Sequence, residues 1–65
     1  MQEVLTIARA QEMERSTFSY VRLAGDAYLA TYSVSEAIAG LRERTDRTAD
    51  AAVWYLDTFY RDDEK

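Results

Sequence analysis

The chain has 65 residues, no cysteine, no histidine and a formal net charge of -4. One core of this size yields only about 3–5 kcal/mol of net stability, and the composition excludes disulfides and His/Cys metal sites as supports. Hydrophobic residues make up 48% of the chain, too many for a disordered tail. We therefore expect a folded domain that gains stability by association, with a homodimer as the default expectation.

The first predicted element is a helix over residues 3–15. Val4 and Ile7 share one side of it at helical spacing, which gives a modest apolar stripe. Ser16 and Thr17 interrupt this stripe. Either hydroxyl can cap a following helix by accepting a hydrogen bond from an unpaired backbone N–H.

Residues 17–34 fit two periodicities. As a helix, they place Val21 and Tyr28 on one stripe; as two strands, they would turn at Gly25 and Asp26. Three alanines and the short connections to neighbouring helices favour the helix, whereas the β-branched and aromatic residues favour the hairpin. We predict the helix and keep the hairpin as the alternative.

The next boundary has the S-x-x-E spacing of a capping box, formed by Ser33 and Glu36. A third helix is predicted to begin here. Val34, Ile38 and Leu41 form its apolar edge.

The last predicted helix, over residues 48–60, has the most regular pattern in the chain. Thr45, Asp46 or Thr48 is expected to cap it, and Asp50 suits the positive end of its dipole. Its stripe follows the i, i+3, i+4, i+7 spacing of a helix with one buried face and comprises Ala49, Ala52, Val53, Leu56, Phe59 and Tyr60.

Four aromatic residues are expected in the core. Phe59 and Tyr60 belong to the stripe of the last helix, and a helical second segment adds Phe18 and Tyr28.

Trp54 and Tyr55 differ from these four because the helical projection turns them to the flanks of the last helix. Trp, Tyr and Arg are the residue types that most often dominate binding energy, and Arg61 lies close to Trp54 in projection. Trp54, Tyr55 and Arg61 are therefore the candidate partner-binding residues.

These elements predict an all-α, mainly helical fold, a small bundle of three to four short helices completed by homodimerisation. The alternative is an α+β fold with a hairpin at 17–34. We expect a single domain over 1–62 and a frayed acidic terminus over 63–65, since acidic residues are unfavourable at a helix C-terminus.

Catalysis has no recognisable basis in the sequence. Without His or Cys, a nucleophile would need a carboxylate as its base, and Glu12 and Glu14 point apart on a helix. No phosphate-binding or calcium loop is present, so neither a cofactor nor a metal is expected. No apolar run approaches the roughly 20 residues that span a bilayer, and we expect a cytoplasmic protein with no membrane contact.

The basic cluster is formed by Arg42, Arg44 and Arg47, and residues 42–47 carry a net charge of +1. These arginines are possible nucleic-acid contacts, although the acidic net charge disfavours nucleic acid as a partner.

The run L-R-E-R-T-D-R-T at 41–48, followed by Val53, Leu56 and Tyr60, resembles the turn and second helix of ribbon-helix-helix repressors and antitoxins. The resemblance implies a dimer that inserts a basic strand into DNA. That strand would lie just before Val34, where residues 26–33 contain no Lys or Arg.

The leading hypothesis is a small, acidic, non-enzymatic regulator or inhibitor that docks on a larger protein, as phage-encoded, plasmid-encoded and antitoxin-like accessory proteins do. The alternatives are a dimeric DNA-binding transcriptional regulator of ribbon-helix-helix-like type and a structural small subunit of a larger assembly.

Overall fold

The computed structural model describes residues 2–62, which form four helices and one pair of two-residue strands. The predicted mainly helical class is confirmed. The frayed terminus predicted at 63–65 lies outside the described residues. In chain order the elements are β1 (Glu3–Val4), α1 (Ile7–Met13), α2 (Ser19–Thr31), α3 (Val34–Arg42), α4 (Arg47–Phe59) and β2 (Tyr60–Arg61).

The first helix begins at Ile7, so the prediction of helix from residue 3 was wrong for its first turn. Thr6 is extended and its hydroxyl accepts a hydrogen bond from the Arg9 N–H at 3.2 Å, which caps α1. The preceding residues pair instead with the end of the chain: β1 and β2 are parallel, with Glu3 opposite Tyr60. This pairing with a strand near the other end of the chain outweighs the weak helical pattern of the local sequence.

Residues 19–31 are helical, so the helical interpretation of the second segment is confirmed and the hairpin does not form. Ser16 and Thr17 do not cap α2 as predicted. Phe18 is the N-cap, without a side-chain cap hydrogen bond, and the Ser16 hydroxyl accepts from the Phe18 N–H at 3.1 Å. Gly25, the turn residue of the alternative hairpin, lies inside α2 against α1.

The start of α3 confirms the predicted cap at Ser33, whose hydroxyl accepts from the Glu36 N–H at 3.3 Å. A second cap comes from the far end of the chain. The Asp62 carboxylate accepts from the N–H groups of Val34 at 2.6 Å and Ser35 at 3.0 Å, and from the Ser35 hydroxyl. This carboxylate therefore fastens the segment after β2 to α3.

The last helix starts one residue before its predicted start and ends at Phe59, because Tyr60 turns to an extended conformation with φ -131° and ψ 156°. Its buried residues are Ala49, Ala52 and Leu56, which confirms the centre of the predicted stripe.

The core lies between the four helices and the start of β2. Tyr28 and Tyr60 are buried as predicted, and the Tyr28 hydroxyl donates to the Leu5 carbonyl at 3.1 Å. Phe18 and Phe59 are exposed, so their assignment to the core was wrong. The buried residues are Leu5, Ala10, Met13, Val21, Ala24, Tyr28, Val34, Ala37, Leu41, Ala49, Ala52, Leu56 and Tyr60.

Candidate functional site

Five aromatic side chains form a continuous row across one side of the bundle, which we call the aromatic row. Consecutive ring centroids lie 5.9, 5.8, 5.4 and 5.6 Å apart. Such separations are those of directly interacting rings. In spatial order the row consists of Phe18, Tyr20, Tyr55, Phe59 and Trp54.

Two helices position the row. Phe18 and Tyr20 lie at the start of α2, and the other three rings come from the last two turns of α4. The ends of the row are the most exposed: Phe18 is 60% exposed and Trp54 is 55% exposed. Phe59 is 45% exposed, whereas Tyr20 and Tyr55 are partly buried against the core. The row is therefore an accessible surface with its centre anchored in the fold.

Two shallow depressions adjoin the row. The smaller has a volume of about 250 Å³ and the larger about 350 Å³, and Arg9 and Tyr55 line both. The other walls of the smaller one are Glu3, Phe59 and Tyr60. The other walls of the larger one are Glu12, Met13, Ser16, Phe18, Tyr20 and Val21.

A polar network lies beneath the smaller depression. The Arg9 Nε donates to the Tyr60 hydroxyl at 3.1 Å, and the hydroxyl oxygens of Tyr55 and Tyr60 are 3.5 Å apart. Burial, together with the contact to Tyr60, raises the pKa of Tyr55 to about 12. The Tyr55 phenol therefore keeps its proton at neutral pH.

This network leaves a hydrogen-bond donor in the depression. Arg9 donates to the Tyr60 oxygen, so this bond uses neither phenol proton. The contact between the Tyr55 and Tyr60 hydroxyl oxygens can use only one of the two phenol protons. One phenol proton thus remains for an acceptor in the space that both rings line. The Arg9 Nη1 lies 3.7 Å from the Glu12 carboxylate, beyond normal hydrogen-bond distance, so it also retains donors.

The structure separates the three residues predicted to bind a partner. Trp54 and Tyr55 both contact Phe59 and belong to the row. Arg61 is exposed in β2 and lines a different depression of about 240 Å³, together with Ile38.

Sequence reasoning missed Phe18, Phe59 and Arg9 as parts of this surface. Phe18 precedes the first helical residue of α2, where a helical projection no longer applies. Phe59 projects onto the buried stripe, but α4 ends there and Tyr60 takes the core position. The adjacent rings of Phe59 and Tyr60 at the end of α4 could have indicated an exposed ring, because neighbouring side chains point in different directions and only one of the two faces the core.

The basic cluster is spread over the end of α3, the following turn and the start of α4. Arg42, Arg44 and Arg47 are all exposed. Arg44 is bound to Asp46 through two hydrogen bonds of 3.0 and 3.1 Å. The segment before Val34, where a ribbon-helix-helix protein has its DNA-reading strand, is the end of α2.

Residues 2–62 also lack two other kinds of site. No group of three or more Asp or Glu side chains in this range could hold a metal ion. None of its helices is long and apolar enough to cross a membrane.

No protein-family model, curated protein sequence or solved structure matches this chain. The functional argument therefore depends on the aromatic row and its two depressions. Exposed rings, a guanidinium and phenol donors lie together on this surface.

Proposed function

We propose that this protein is a non-catalytic binding module that docks on a larger protein through the aromatic row and regulates or inhibits it. The observation that carries the proposal is the continuous row of contacting rings, whose three most accessible members are 45–60% exposed. Aromatic residues are enriched in the buried centres of protein interfaces and often dominate the binding energy.

The contacts within the row favour binding for a second reason. Trp54 and Phe59 meet edge to face, with an interplanar angle of 89°, and the Tyr55 ring also contacts Phe59, at a centroid distance of 5.4 Å. Side chains that already restrict one another lose less conformational entropy when a partner covers them. The three rings on α4 are thus pre-organised for docking.

Affinity capture with matched variants tests this proposal. The bait is the full chain, and the variants are Trp54→Ala and Phe18→Ala in the row and Tyr32→Ala outside it. Tyr32 is 64% exposed, so its removal controls for the loss of an exposed ring. We expect one host protein to be retained by the wild type and by Tyr32→Ala and lost with both row variants.

The proposal fails if every captured protein is retained equally by row and control variants that fold normally. Purified partner and titration calorimetry then give the affinity, and loss of Trp54 should weaken it by about 2 kcal/mol or more. We propose the cytoplasm as the location, so the lysate should be the soluble fraction of the host cell.

Other roles predict different outcomes in solution. A homodimer built on the row would sediment as a dimer, and Trp54→Ala would convert it to a monomer. A structural subunit would unfold at low concentration without its assembly. A DNA-binding regulator would use Arg42 and Arg47, and its affinity would fall steeply between 50 and 200 mM salt, whereas an aromatic contact would change little.

A further inference from the structure

We propose, as a step that rests on the proposed docking function, that the aromatic row receives a proline-rich segment of the partner in the polyproline II conformation. The occupant would pack its prolines into the two depressions on either side of Tyr55. Aromatic-lined grooves are the usual receptors for such segments, whose extended form is already set before binding.

The size of the row favours a short segment over a second copy of this chain. Phe18, Phe59 and Trp54 are 45–60% exposed, and a ring side chain offers roughly 150–250 Å². Together they present on the order of 300 Å², well below the about 800 Å² that each partner buries in a stable dimer. A peptide needs only a patch of this size.

The spacing of the rings fits the repeat of the proposed occupant. Tyr20 and Phe59 both contact Tyr55, at centroid distances of 5.8 and 5.4 Å. Their rings are therefore at most about 11 Å apart, and a polyproline II helix rises about 9 Å per three-residue turn. Prolines separated as P-x-x-P would reach the two depressions with one turn between them.

The donors in the site distinguish this occupant from an amphipathic helix. A polyproline II segment has no internal hydrogen bonds, so its carbonyl groups are free to accept. The spare phenol proton of the Tyr55 and Tyr60 pair and the Nη donors of Arg9 are available to them. A helix satisfies most of its own carbonyls and would cover these donors without bonding them, which is unfavourable.

Charge adds a preference for the residues beside the prolines. Glu3 lies on the wall of the smaller depression and Glu12 on that of the larger. The whole chain carries a net charge of -4. Arg9 also lines both depressions and its Nη1 lies 3.7 Å from the Glu12 carboxylate, so an arginine flanking the prolines is expected to meet Glu3, and basic proline-rich segments should bind more tightly than acidic ones.

Fluorescence of the protein provides the test, because Trp54 is the only tryptophan and ends the row. Three synthetic peptides of equal charge are titrated into the full chain: one with P-x-x-P and a flanking arginine, one with both prolines replaced by alanine, and one amphipathic helix. We expect the proline peptide to change the Trp54 emission with saturation. The alanine peptide should bind roughly tenfold more weakly or worse.

Variants that keep Trp54 locate the contact. Phe18→Ala should weaken the proline peptide roughly tenfold, and Tyr32→Ala should leave it unchanged. Chemical shifts of the wild-type protein should move in the row and not around Arg61, which locates the site without any variant.

Three results would overturn the inference. They are equal binding of the proline and alanine peptides, tighter binding of the helix, and no binding of any peptide at millimolar concentration. Each leaves the capture experiment intact, because a partner that depends on the row could still be retained. Loss of row-dependent capture would instead reject the docking function itself.

Discussion

Adding a single methyl group at each of the two glycines should move stability in opposite directions. A Cβ at Gly25 would lie 2.7 Å from the Ala10 carbonyl oxygen and 3.0 Å from the Met13 Cβ. Because the closest atom belongs to the backbone of α1, the two helices must separate to admit it. A Cβ at Gly40 would meet no atom within 4 Å.

The magnitudes follow from these two environments. Replacing glycine by alanine inside an exposed helix stabilises it by about 0.5–1 kcal/mol, and Gly40→Ala should show this gain. Gly25→Ala has the same gain but incurs overpacking of typically 1–3 kcal/mol or more. Since backbone cannot yield as a flexible side chain does, the cost should prevail by about 1–2 kcal/mol.

Urea denaturation followed by circular dichroism at 222 nm measures both changes in the free energy of unfolding. The slope of this free energy against urea concentration should be the same for both variants, which checks that their unfolded states are comparable. For a domain of about 3–5 kcal/mol, Gly25→Ala should lose a large part of its stability. An increase in stability for Gly25→Ala similar to that for Gly40→Ala would refute the close approach of α1 and α2.

Three further predictions concern the carboxylate cap, the partly buried phenol of Tyr55 and the one left-handed residue within residues 2–62. Hydrogen bonds from Ser35 hold the pKa of Asp62 below its usual range. The contribution of Asp62 to the free energy of unfolding should therefore be complete above about pH 4, and it should be lost as the pH falls through the lower pKa of the folded state. Asp62→Ala should cost about 0.5–2 kcal/mol at pH 7 and flatten that acid limb of the pH–stability curve, and an unchanged limb would exclude the cap. The pKa of Tyr55 rises from 10.0 to about 12 in the folded state. Its contribution to the free energy of unfolding should therefore be complete below pH 10 and decline from there to about pH 12. Ultraviolet titration of the wild type and of Tyr55→Phe should show that the late-titrating phenol is absent from the variant. Tyr32 has φ 55°, so Tyr32→Gly should stabilise by about 1 kcal/mol while Ala30→Gly destabilises by a similar amount, and equal losses in thermal unfolding would contradict the left-handed cap.

The local features of the fold were predictable because neighbouring residues determine them. The spacing of Ser33 and Glu36 predicted the start of α3. The pattern of Ala49, Ala52 and Leu56 predicted the buried face of α4. Each depends on bonds or contacts within about one turn, which the sequence displays directly.

The remainder depends on contacts between distant parts of the chain. Two residues such as Glu3 and Val4 carry no strand pattern, and only pairing with β2 makes them a strand. The Asp62 cap joins groups 28 residues apart, so no local spacing in the chain indicates it. Phe18 and Phe59 were placed in the core because periodicity indicates a direction around a helix and not where the core ends.

The exposure of the aromatic row follows from how the core is filled. The residues that are only 0–2% exposed include five alanines, and Leu56 is the largest residue of this fully enclosed group. Small side chains let helices approach closely, as the contact of Gly25 with α1 illustrates, and this spacing leaves no volume for further rings. The rings at the ends of the row therefore lie outside, where they contribute little to stability. Under the proposed function, binding and folding therefore depend largely on different side chains, so a change in the exposed rings should alter the partner while the helix packing stays intact.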